Sequence, residues 1–153
     1  FVRDFCYRKD PVFFKEFAPF AALSNLQKSK LRGNKEFYEA WHTIFNKNKV
    51  KFANYQDAYA KQEYYDLTEY YLKNTVNLKN RPDVIKGAIF SYSIQHGQLT
   101  AANAVIAAKI TDATSDEEFL TKLYNYRIRK FPAYASRYRS EKSEALSRLR
   151  RAA

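Results

Sequence analysis

Few side chains in this sequence are placed to do chemistry. The stretch Phe90-Ser91-Tyr92-Ser93-Ile94-Gln95-His96-Gly97 runs out of an apolar segment into a glycine and ends on a glutamine and a histidine. Both can hydrogen-bond to a helix end or to a ligand, so they either brace the next loop or line one wall of a groove. Among the carboxylates, Glu63 and Asp66 flank Tyr64-Tyr65 and can approach the Gln95-His96 corner. Glu16 lies among Phe13, Phe14, Phe17 and Phe20, rings that would desolvate a carboxyl group and raise its pKa. The plainer reading makes all three ordinary surface carboxylates, and no catalytic pair is nominated from them.

The element that must position the corner is a helix of about four turns over residues 82–96. Pro82 suits its first position and Gly97 the left-handed residue just past its end. Ile85, Ile89, Tyr92 and His96 share one face, with Val84, Ala88, Ser91 and Gln95 alongside. A helix apolar on nearly every side is a central one, packed by neighbours all round. Before it, residues 1–20 are aromatic, and a helical rhythm from Val12 is ended or bent by Pro19. Ser24 to Asn34 reads as a loop with one helical turn, and Asn34 caps a helix whose apolar stripe is Phe37, Ala40, Trp41, Ile44 and Phe45. Lys49 to Thr75 is a long helical stretch with a break expected near Lys61 to Asp66. After Gly97 an alanine-rich helix allows close packing. Ser115-Asp116-Glu117-Glu118 is a capping box that opens a further helix, which Pro132 closes, and a basic last helix covers about residues 133–150.

Composition bounds the rest. With 153 residues the chain is one domain on length, and Gly 3 with Pro 4 leaves little room for turn-rich β structure, so the expected class is all-α, a single helical domain around the buried 82–96 helix. Tyr 13 and Phe 12 give an aromatic content of 17%. Tyrosines in such numbers straddle core and surface and also suit stacking on sugar rings. A formal charge of +11 predicts attraction to polyanions such as nucleic acid, anionic lipid or an acidic wall polymer. One cysteine, Cys6, excludes an intrachain disulfide, two separated histidines argue against a zinc site, and no cofactor or metal is implied. No membrane span or signal peptide is visible. Methionine is absent even at position 1, which fits a processed product or a piece of a longer polypeptide.

Three motifs carry a family resemblance over residues 35–150. They are Gln56-Asp57-Ala58-Tyr59-Ala60-Lys61-Gln62-Glu63-Tyr64-Tyr65-Asp66, then Leu78 and Arg81 with Ala88 to Gly97, then Asp116-Glu117-Glu118-Phe119-Leu120, Tyr124 and Arg127 followed by Arg137-Tyr138, Glu141 and Ala145-Leu146. In order and spacing they resemble the lysozyme-like and chitosanase-like peptidoglycan hydrolase domains of phage tail proteins, endolysins and contractile-secretion effectors. The resemblance implies a lysozyme-like helical lobe and cleavage or binding of β-1,4-linked aminosugar strands, with Tyr59, Tyr64, Tyr65, Tyr92, Gln95 and His96 lining the glycan groove. Such hydrolysis needs a protonated carboxylic acid and a second carboxylate, and Glu16, Glu63 and Asp66 are the weak candidates present. The group's glycine-rich Y-G-x-Y-Q segment has no counterpart here. Either the acid lies upstream, or this copy is a binding or structural module.

Three functions therefore compete. The first is a peptidoglycan-directed, muramidase-like domain of phage origin, delivered in a virion or to the extracellular or periplasmic space, with peptidoglycan or another anionic wall polymer as partner. The second is a non-catalytic structural protein of a virion or contractile machine, with other virion or tail proteins as partners. The third is a basic helical nucleic-acid binder acting through non-specific charge, against which stands the lack of a recognition-helix signature.

Overall fold

Long runs with helical apolar spacing and few breakers let the backbone satisfy its own hydrogen bonds locally. The computed structural model, which describes residues 1–152 and the side chains of all of these except Asn25 and Leu26, is accordingly all-α, with no strand among the described residues. The contacts divide the chain into two compact units, Phe1–Ala60 and Lys61–Ala153, each with its own core.

The first unit is built on two helices, α1 (Lys35–Lys47) and α2 (Lys49–Ala60). The Asn34 side chain caps α1 by accepting from the Phe37 N–H at 2.7 Å, and Asn48 accepts from Lys51 N–H at the start of α2. Their buried residues are Ala40, Ile44 and Phe52. Short helical pieces, Val2–Tyr7, Lys15–Phe17 and Ala18–Ala21, bring Phe5, Cys6, Phe14, Phe17 and Ala21 into the interior. Phe14 and Phe17 stack nearly parallel, and Trp41 meets Phe52 edge-on at 4.9 Å. Ring pairs of this kind add about 0.5–1.5 kcal/mol each beyond the area they bury. Pro19, expected to end or bend the helix, stands where the 3-10 turn Lys15–Phe17 passes into Ala18–Ala21. It lies in the first turn of Ala18–Ala21, where its missing N–H has no partner to lose.

The second unit opens with a π-helical turn, Lys61–Asp66, at the expected break. It continues with α3 (Leu67–Leu72), α4 (Asp83–His96), α5 (Gln98–Ala107), α6 (Asp116–Lys130) and α7 (Ala135–Ala152). The central helix α4 is packed by the π-turn, α5, α6 and α7, burying Ile85, Ala88, Ile89, Tyr92 and Ser93. Pro82 sits one residue earlier than expected, as its N-cap. Gly97 joins α4 to α5 at φ 88° and ψ 150°, an extended positive-φ conformation open essentially to glycine alone, rather than the compact left-handed one expected. Ala101, Ala102 and Ala104 are buried on α5, so their small side chains do allow close approach. The α5–α6 loop is clamped by Arg81. Its guanidinium donates to the carbonyls of Thr111, Asp112 and Thr114 and to the Asp116 carboxylate, at 2.7–3.0 Å. Ser115 caps α6 through the Glu118 N–H. No helix among the described residues is long and apolar enough to cross a membrane.

Candidate functional site

The Gln95-His96 corner is built from three helices. Phe119, Leu123 and Arg127 repeat every fourth residue on α6, and that face turns inward, carrying the arginine with it. Arg127 is 1% exposed. Its Nη2 donates to Gln95 Oε1 at 2.6 Å and its Nη1 to Glu141 Oε2 at 3.2 Å, while Nε has no partner. The guanidinium lies over the rings of Tyr138 and Tyr92, at 4.1 and 4.8 Å from their centres. Stacking and ion pairing together compensate a charge that burial alone would make prohibitive. Arg137 takes the other Glu141 oxygen at 2.6 Å. His96 stacks on Phe131 at 3.7 Å between centroids, and its Nε2 lies 2.7 Å from the Tyr138 hydroxyl.

A cleft of about 660 Å³ adjoins this network. Pro82, Gly87, Ala88 and Ser91 line one side, and Glu141, Glu144, Ala145 and Arg148 of α7 the other, with Tyr124 between. Glu141 reaches it with both oxygens already engaged by arginines, and Glu144 is held below its ordinary pKa by its hydrogen bond from Arg148.

Of the expected groove residues, Tyr65 and Tyr92 are closed off by packing. Tyr92 is fully buried and Tyr65 is 9% exposed, so neither ring has a face free to stack on a glycan. Their hydroxyls have no hydrogen-bond partner, and burial pushes both pKa values up to about 12. Tyr65 packs edge-on to Phe90, while Gln95 turns to Arg127. Tyr64 is half-buried, its carbonyl accepting from the Thr68 hydroxyl. Tyr59 belongs to the first unit, where its ring meets Phe1 and Phe5. Among the weak acid candidates, Asp66 pairs with Lys61, and Glu63 accepts a long 3.5 Å contact from Gln62. For Glu16, burial works to raise the pKa, but the Lys47 hydrogen bond at 2.6 Å and further favourable contacts outweigh it and hold the group below its ordinary value. It cannot keep a proton near neutrality as a glycosidase acid must.

The residues that organise the corner, Arg127, Glu141 and Tyr138, fall within the third motif but were not picked out as site residues. The signal was present in the fourfold spacing of Arg127 with Leu123 and Phe119, which places a cation on a core face.

No curated protein and no solved structure matches the chain. Residues 13–152 match the family described as type VI secretion system spike protein VgrG3-like, C-terminal. That description names a spike component and no glycosidase, so it overturns the lysozyme-like, peptidoglycan-hydrolase assignment and the phage and cell-wall attributes that came with it. It favours instead the reading as a structural part of a contractile machine. With the match running from the aromatic segment of the first unit to the end of α7, the chain belongs to the VgrG3-like C-terminal family of type VI secretion system spike proteins.

Proposed function

We propose that this chain is a non-catalytic structural domain of a type VI secretion spike, travelling with the secretion apparatus and contacting its other proteins. The observation that carries the reading is the family match over residues 13–152. The interior supports it, because Tyr65 and Tyr92, two of the tyrosines expected to meet a substrate, are buried, and Gln95 is engaged by Arg127. Leu99 and Ile106 of α5, which are 56% and 49% exposed, are places to look for contacts with the apparatus. A photo-crosslinking side chain at either position, in cells with an active apparatus, is expected to capture spike or tube proteins. Recovery of the domain free of the apparatus would count against the reading, as would release of reducing sugar from purified cell-wall sacculi by the folded chain.

A further inference from the structure

The α6 and α7 helices carry many cations, and most of them are matched. Lys122 pairs with Glu118, Arg127 and Arg137 with Glu141, Arg148 and Arg151 with Glu144, and Arg150 with Glu117. Arg129, Arg139 and Lys142 have no carboxylate partner among the described residues, and these three line one cleft of about 370 Å³ between the two helices. No acidic side chain is among the residues that line it; the others are Asn125 and Ile128. Lys142 Nζ is held at 3.0 Å from Asn125 Oδ1, which uses one ammonium proton and leaves two to donate. Two guanidinium forks from facing helices, beside an oriented ammonium, make a donor set for a compact oxyanion.

We propose that this cleft is an anion-binding site that takes a phosphate group, with Arg129 and Arg139 as forked donors and Lys142 as the third. The cleft lies within the size range of small-ligand sites. Polyelectrolyte attraction from the +11 charge would be shared by every surface cation, whereas a built site depends on these three.

Inorganic phosphate titrated into the full chain at about 0.15 M salt, an ionic strength that screens long-range attraction, tests this by NMR of the arginine Nε–H groups. Saturable shifts at Arg129 and Arg139 are expected, with roughly tenfold or greater weakening in Arg139→Gln and in Arg129→Gln. Lys130→Gln, an exposed neighbour that does not line the cleft, should leave the affinity unchanged. Equal weakening in Lys130→Gln, or shifts that never saturate, would overturn the site. So would binding to vesicles containing phosphatidylglycerol, or to an oligonucleotide, with no response to phosphate, since either shows attraction to a charged surface rather than to a phosphate group. All three substituted positions lie at the surface, and an unchanged helical spectrum excludes misfolding.

Discussion

A guanidinium that has left water must be matched where it lies, and Arg127 is matched by the Glu141 carboxylate, the Gln95 amide oxygen and the faces of Tyr92 and Tyr138. Removing only the carboxylate leaves a buried charge uncompensated, so Glu141→Ala is expected to cost about 3 kcal/mol of stability. The double substitution Arg127→Met with Glu141→Ala should cost less than that single one, because the charge and its desolvation disappear together; urea unfolding of the variants measures the difference. His96 gives a pH dependence of definite sign. Burial first, then the charges of Arg127 and Arg137, holds its pKa below the ordinary value of 6.5. The unfolded chain therefore takes the proton more readily than the folded one. The contribution to stability is fully present above about pH 6.5 and is lost as the pH falls through the lower, folded value. The urea midpoint should drop on acidification below pH 6.5, and His96→Gln should flatten that part of the profile.

Between the helices, Gly97 is the joint whose conformation the sequence only partly disclosed. Nothing lies within 4 Å of where a Cβ would stand, so Gly97→Ala meets no clash, only an unfavourable backbone at φ 88°. It should destabilise by about 1–3 kcal/mol, read from thermal unfolding, without changing the packing around α4 and α5. What was legible at this scale was whatever depends on local chemistry. Asn34 and Ser115 cap the helices they were expected to cap, the central place of α4 follows from its spacing, and where the length of the 49–75 stretch suggests a break the helix changes to a π-turn. Whether Pro19 ends or bends a helix depends on the neighbouring chain, since a proline in a first turn and one at a helix end look alike in sequence. The site was less legible than the elements. Spacing put Tyr65 and Tyr92 on the right helices, but only tertiary packing decides whether a tyrosine ring is interior or a wall, and here it seals them in. The motifs around them suit a glycan groove equally well in sequence, since the residues that hold a bundle together at Arg127 are of the types that would also hold a sugar.

For the molecule as a whole, the division at Ala60 and Lys61 separates two interiors of different character. One is made of stacked and edge-on aromatic rings, and the other is an aliphatic and alanine-rich bundle around α4. Each has the contiguous core that independent folding requires. The fragment Lys61–Ala153 is accordingly expected to give a helical circular-dichroism spectrum and a single cooperative melt on its own, and a featureless, non-cooperative trace would show that it depends on the first sixty residues. The first unit carries its own reporter. Cys6 is fully buried, and desolvation pushes its thiol up to about 12, so the thiolate is scarce as well as shielded. As the sequence holds one cysteine, attack by a thiol reagent such as Ellman's reagent can register only moments when the aromatic interior parts. The rate of colour formation then becomes a stopwatch for breathing in that half of the chain, obtained without attaching a label.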